Sequence, residues 1–273
     1  MTRFIVVPQW QGSPSSRAMQ LIDGAQAIAG DLPRAATVVL DVPMEAGEAL
    51  GTGVRRLSAL LRTRALVEEA VAGQSEPVLV VGGDCGIAVP AVANALQRHP
   101  ALAVVWIDAH PDLHSDTSTP SGAFGGMALR AIVGEGVDGL ALAPNAVAPS
   151  RVVLTATRSF DPAEEDFVAA HGIPVVSPDE LSHPDALARA VEATGADAVY
   201  IHVDLDALDP SEIAGTSHAE PFGVAVTHLT AAIARLRAGF PLAGSSIAGY
   251  SPASPDAASD DLGAILRIIG ALA

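Results

Sequence analysis

Five side chains able to hold a metal or move a proton, Asp108, His110, Asp112, His114 and Asp116, stand at alternate positions in "VVWIDAHPDLHSD" (104–116). If the backbone stays extended there, its period of two puts all five on one face. A second acidic pair, Asp204 and Asp206, lies in "HVDLDALDP", and the one cysteine, Cys85, follows an aspartate in "VGGDCG". Four carboxylates and an imidazole in one pocket cannot all stay charged unless cations neutralise them, because neighbouring negative charges raise each other's pKa. Mixed carboxylate and imidazole donors suit Mn, Fe, Co or Zn, and several shared carboxylates favour a pair of ions. The alternative is that Asp108 and Asp204 cap the turns that follow them while the others face water. A D-x-H-x-D run joined by D-x-D after a second apolar run favours the metal site. Cys85 has a plainer alternative of its own, an inert buried thiol.

The elements that must position these residues are legible as short, β-branched, apolar runs at 4–9, 36–42, 77–83, 102–109, 151–157, 173–177, 198–204 and 244–250. Such runs lack alternation, which fits strands covered on both faces in a parallel sheet. Helical patterns fill the intervals at 15–30, 54–73, 88–99, 162–172, 185–195, 227–239 and 259–272, with Asp161 and Thr227 as expected N-caps. The alternation predicts one α/β domain over 1–273, doubly wound around a mainly parallel sheet of about eight strands. In such sheets chemistry collects at the carboxyl ends of strands. "VGGDCG", "DAHPDLHSD" and "HVDLDALDP" all follow strands, so they are expected to converge. The stretch 115–150 has no regular pattern.

Composition narrows the function. The chain has 273 residues, is 17% charged and carries a formal net charge of −16, with all 15 cationic side chains being arginine. Nothing basic is clustered to displace counterions from a phosphate backbone, so no nucleic-acid partner is expected. No apolar run is long enough to span a bilayer, and the N-terminal segment reads as a first strand, so a cytoplasmic location without membrane attachment is expected. A lone cysteine excludes an intrachain disulfide and any multi-cysteine zinc motif.

"VGGDCG", "DAHPD" and "HVDLDALDP" resemble, in order and spacing, the GGDHS, DAHxD and SxDxDxxDP segments of the ureohydrolases: arginase, agmatinase and formimidoylglutamase. "TRSFDPAE" is similar to that family's R-x-x-D-x-x-E segment, and the resemblance runs from about Val81 to Pro252. It implies an arginase-like three-layer α/β fold with a metal pair, Mn2+ by family habit, at the carboxyl edge of the sheet. It implies that Asp108 and Asp204 bridge the ions, that Asp112 and Cys85 complete one ion's shell, and that His110 and Asp206 complete the other's. A hydroxide held between the ions would attack an amidino-type carbon. Asp112 would hold that hydroxide and relay its proton. Asp161, Ser121 and His114 would contact substrate, and His114 could also move protons. Trimers or hexamers are implied as well.

Departures from the pattern qualify the substrate. Cys85 stands where the family has a histidine ligand, which favours a softer metal or leaves one ion weakly held. Gly125, in "SGAFGG", replaces the proton-shuttling histidine of arginases, and Gly249, in "IAGYSP", aligns with the acid that clamps a guanidinium. Glu220, in "TSHAEPFG", is a compensating partner for a cationic group, with His218 a weaker candidate. His202 is expected to support the site through a hydrogen bond rather than to ligate. "FGGM" and "IHVDLDALDP" look nearer to the branch acting on N-hydroxylated arginine, which also admits cysteine at the first ligand position. The reading is a metal-dependent hydrolase that cleaves a C–N bond of a small linear guanidino, amidino or formimino compound, with one or two divalent ions per subunit. The alternative is a catalytically silent member that binds metal or a small ligand and acts through a partner.

Overall fold

The computed structural model describes residues 2–273. Eight strands form one wholly parallel sheet: β1 (Arg3–Val6), β2 (Thr37–Val39), β3 (Val78–Val81), β4 (Ala103–Ile107), β5 (Val152–Thr155), β6 (Val175–Val176), β7 (Val199–Asp204) and β8 (Leu242–Ala248). Their order is β2-β1-β3-β8-β7-β4-β5-β6. Each lies within or beside the run expected for it and is usually shorter. Coverage of both faces holds for the central strands, where β3, β4, β5 and β7 are buried at every residue. It fails at the edge, where Val39 of β2, the first strand in the sheet order, is 53% exposed.

Period-two geometry divides the apolar side chains between two cores, one on each face. Val105, Ile107, Ile201 and Val203 pack in the core that also takes Ala25 and Ile28 of α1 (Gln20–Asp31), Leu187 of α6 (Asp185–Ala193), Leu229 of α7 (Val226–Gly239) and Ile265 of α8 (Pro255–Leu272). Val104, Trp106, Leu154 and Tyr200 pack in the other, with Leu60 of α2 (Leu57–Val71), Val92 of α3 (Ala88–Arg98), Leu129 of α4 (Ala128–Ile132) and Phe167 of α5 (Pro162–His171). Burying each such side chain contributes about 1.5–3 kcal/mol, and this is what locks the sheet's register.

Two expectations need correction. α4 forms within the stretch read as patternless; five residues are too few to show a 3.6-residue period. Thr227 does not cap α7, which starts one residue earlier at Val226. The free amide there donates to Glu212 Oε2 at 3.2 Å, a cap supplied from fourteen residues away.

β3 and β4 are consecutive in sequence but lie apart, with β8 and β7 between them. The carboxyl ends of β3, β8, β7 and β4 therefore stand side by side. That juxtaposition delivers the three acidic segments to one place.

Candidate active site

Asp84 organises the turn after β3. Its buried carboxylate accepts both from Gln9 Nε2, at 2.8 and 2.9 Å, and from the amides of Gly12 and Gly86, at 2.9 and 3.0 Å. Burial pushes its carboxyl up, and these donors pull it back. The segment after β1 is thereby tied to the turn that carries Cys85. Cys85 is 7% exposed, and its Sγ–H donates to Asp204 Oδ2 at 3.0 Å, with Asp108 Oδ2 at 3.7 Å.

Beyond β4 the chain does not stay extended, contrary to expectation. β4 ends at Ile107, Asp108 Oδ1 accepts the His110 amide at 2.7 Å, and Asp112 takes a left-handed conformation with φ +51°. Such a backbone costs a non-glycine residue on the order of 1 kcal/mol and recurs at functional sites. The turn divides the five residues. Asp108, His110 and Asp112 line the cavity, His114 joins a separate cluster, and half-buried Asp116 lies off the cavity.

β7 supplies the other half. Asp204 Oδ1 accepts the Asp206 amide at 3.0 Å, and Asp206 Oδ1 accepts the Ala109 amide at 3.1 Å, fastening the ends of β7 and β4 together. His110 Nδ1 sits 3.1 Å from Asp206 Oδ2 and 3.5 Å from Asp108 Oδ1. Burial pushes Asp204 up to about 7, with the Asp206 charge adding to it. Burial and the Asp108 charge raise Asp112 well above the carboxylate range, and burial likewise raises Asp108 and Asp206. Burial and the nearby carboxylates hold the Cys85 thiol up. For His110, burial pulls down, but hydrogen bonds to Asp108 and Asp206 prevail and push it up to about 12.

A second cluster borders the same cavity. His114 Nε2 lies 2.9 Å from Asp161 Oδ2 and 3.6 Å from Glu164 Oε2, and its Nδ1 is 3.2 Å from Ser118 Oγ. Asp161 caps α5 as expected, and Glu164 Oε2 accepts the Asp161 amide at 3.1 Å while its other oxygen accepts the Leu113 amide at 3.0 Å. Ser121 does not reach the cavity; its hydroxyl accepts the Ala123 amide at 3.1 Å and shapes a local turn. Glu220 is half-buried, with Oε1 3.8 Å from His110 Nε2, and His218 lies edge-on to His110 at the cavity wall.

Arg158 ties down the segment that carries Glu220. Its guanidinium donates to the carbonyls of Asp206, Glu220 and Pro221 at 2.9, 2.7 and 2.9 Å, and to that of Ala156 at 3.0 Å. Replacing it with methionine leaves those carbonyls unpaired and is expected to lower stability by about 2–3 kcal/mol, read from denaturant midpoints. A change below about 0.5 kcal/mol would show that water replaces the guanidinium fully.

The two glycines at altered positions differ. Gly125 lies against Gly12, whose carbonyl a Cβ would meet at 3.0 Å. Gly249 has φ +86°, and a Cβ there would fall 2.1 Å from Asp204 Oδ1. The backbone at 249 thus occupies space that any side chain would have to take from Asp204.

The cavity, of about 300 Å³, also takes Ser13, Pro14 and Leu21 from the segment after β1, Ser159 and Phe160, and Ser217. None of these was expected. Small and apolar residues in loops carry no pattern, Leu21 reads only as a buried position of α1, and only the sheet order brings them here. The polar atoms left over suit a cation. Asp112 Oδ2 is buried without a hydrogen-bond partner, and donors of Asp108, His110 and Asp206 lie within 4.8 Å of one another, as do those of Cys85, Asp108 and His202. Like charges at this density, each pushed toward protonation, are what a divalent ion relieves.

The family model described as "Arginase family" matches residues 20–268. The chain belongs to the arginase family. Arginase of Staphylococcus aureus (strain COL) is 37% identical over 145 residues, a match spanning 50% of this chain and 48% of that protein. N(omega)-hydroxy-L-arginine amidinohydrolase of Streptomyces lavendulae is 30% identical over 155 residues, 56% of this chain and 54% of the other. The solved structure of Entamoeba histolytica arginase in complex with L-ornithine superposes with a TM-score of 0.86 at 20% identity, covering 100% of this chain and 99% of that one. The fold is that of the arginase family over its full length. Among the described residues, no helix is long and apolar enough to cross a membrane.

Proposed function

We propose that this arginase-family chain is a metal-dependent hydrolase that cleaves a C–N bond in a small linear guanidino, amidino or formimino compound. The observation that carries the reading is the convergence of Cys85, Asp108, His110, Asp112, Asp204 and Asp206, from three strand ends, on one cavity with a left-over buried carboxylate oxygen. Those six residues would hold one or two divalent ions, Mn2+ being the first to test. Bound there, such ions would acidify water and polarise the substrate's central carbon.

The chain's own residues do the rest. Asp112, aimed inward by its left-handed backbone, accepts the attacking water's proton on Oδ2 and passes it to the leaving nitrogen. His114, fixed by Ser118 and Asp161, binds a substrate carboxylate at the cavity wall or exchanges protons with solvent. With no side chain at Gly249, a cationic substrate group meets Glu220 and Asp161 instead. Assembly into trimers or hexamers belongs to the same reading, and light scattering checks it.

Two measurements test the proposal. Metal-free protein reconstituted with Mn2+, Co2+, Fe2+ or Zn2+ should retain one or two ions per chain; retention of none would sink it. The loaded protein, offered guanidino, amidino, formimino and N-hydroxyguanidino acids, should release urea, ammonia or formamide from one class. A further variant probes Cys85. Cys85→His is expected to raise Mn2+ affinity by at least about tenfold, and unchanged affinity would place position 85 outside the ligand set.

A further inference from the structure

We propose that His202 is itself a metal ligand, closing with Cys85 and Asp108 a nitrogen–sulfur–oxygen site that prefers Zn2+ or Co2+ to Mn2+. The proposal rests on the metal-dependent reading above and changes its donor set. His202 is fully buried on β7, its ring stacked on Trp106 with centroids 3.8 Å apart. Ser246 Oγ engages Nδ1 at 2.8 Å, and buried Nε2 has no hydrogen-bond partner. A buried imidazole nitrogen is rarely left unpaired. The Cys85 thiol does not satisfy it, because its one hydrogen is directed at Asp204 Oδ2.

The expected role, support through a hydrogen bond, accounts for Nδ1 alone. His202, Cys85 Sγ and a carboxylate oxygen of Asp108 each offer a donor atom within 4.8 Å of the others. Tetrahedral bonds of about 2.0–2.3 Å place such donors about 3.3–3.8 Å apart, so a small contraction completes the site. A ligating histidine ordinarily has its second nitrogen held by a neighbour, which Ser246 provides. Binding replaces the thiol hydrogen by a sulfur–metal bond and releases that proton to solvent. Thiolate and imidazole beside a single carboxylate form a set that Zn2+ and Co2+ favour over Mn2+. The chain thus answers the cysteine at position 85 by recruiting a histidine from β7, two strands away in the sheet.

The test is proton NMR of the protein loaded with Co2+, which shifts the N–H of a bound imidazole far outside the ordinary range. Buried Nδ1–H of His202 should give a shifted, slowly exchanging resonance that persists in His110→Gln, disappears in His202→Gln and exchanges faster in Ser246→Ala. Zn2+ affinity should fall at least about tenfold in His202→Gln, with Mn2+ affinity less affected. If cobalt binds but no slowly exchanging shifted resonance survives in His110→Gln, His202 is not a ligand and the metal-dependent reading stands. If the wild type binds no cobalt, both fall. The wild-type, His110→Gln and Ser246→Ala spectra decide the matter even if His202→Gln fails to fold.

Discussion

Placing glutamate at position 249 should abolish metal binding rather than supply the missing acid. The first atom of any side chain there falls 2.1 Å from Asp204 Oδ1, so Asp204 must leave its place between Cys85 and the Asp206 amide. The backbone adds its own cost: φ +86° is ordinary for glycine and strained for other residues. Gly249→Ala isolates these effects without a charge. It should cost about 1–3 kcal/mol in stability and, by displacing Asp204, weaken divalent-ion affinity by about tenfold or more. Thermal melts and calorimetric titration of the metal-free variants check this. Wild-type affinity in Gly249→Ala would show that Asp204 holds its position independently of strand β8. The absence of an acid at 249 is therefore matched by the placement of the Asp204 carboxylate and by the positive φ at that position.

Metal-free protein should lose stability as pH rises, and bound metal should remove that dependence. Asp204 is raised from 3.8 to about 7 by burial and the Asp206 charge, and Asp108, Asp112 and Asp206 are raised in the same direction. A carboxyl that holds its proton more tightly when folded gives stability that is complete below its unfolded pKa and is lost as pH climbs to the folded value. For Asp204 alone, moving from 3.8 to about 7 corresponds to about 4 kcal/mol. His110, raised from 6.5 to about 12 by the Asp108 and Asp206 hydrogen bonds against burial, acts with the same sign above pH 6.5. The exposed carboxylates with lowered values, Glu45, Glu180 and Asp209, act oppositely in a window that closes near pH 4, and His202, pulled by burial from 6.5 to about 3, acts oppositely up to pH 6.5, so the loss of stability is read above that pH. Since binding requires the site to surrender protons, the rise in Tm on adding divalent ion should be several degrees larger at pH ~8 than at pH ~5.5. A metal-free Tm that climbs above pH 6.5, or an increment equal at both pH values, would contradict the protonation pattern.

The layout of strands and the acidic ligand candidates were legible because each depends on local signals. "LAVVWIDA" is apolar throughout since β4 is covered on both faces, and the aspartates follow because parallel sheets expose chemistry at strand ends. The turn at Asp112 was not legible. Alternation suggested an extended chain, whereas Asp108 Oδ1 bends the backbone at His110 and the positive φ at Asp112 turns it again. Ser121 was misplaced for a similar reason, since nothing in "SGAFGG" states which way its hydroxyl points. Asp84 shows the converse. It reads as one more acid beside Cys85, yet its partners Gln9 and Gly12 come from a segment more than seventy residues earlier, and only the β1–β3 pairing brings them near.

The position of β8 and β7 between β3 and β4 also sets a timetable. As the chain emerges in order, Cys85 and Asp108 are made early, but the strands that must separate and pair with theirs are the last two of the sheet. Neighbouring strands lie about 4.8 Å apart, so β3 and β4 must stand about 14 Å apart and wait for two late arrivals. Contacts of such long sequence separation form slowly. A nascent or truncated chain lacking the region after residue 198 would present half a site, with Asp108 and Asp112 assembled and nothing across from them. Ion capture therefore reports completion of the sheet, and a divalent ion added during refolding should bind only in the last kinetic phase.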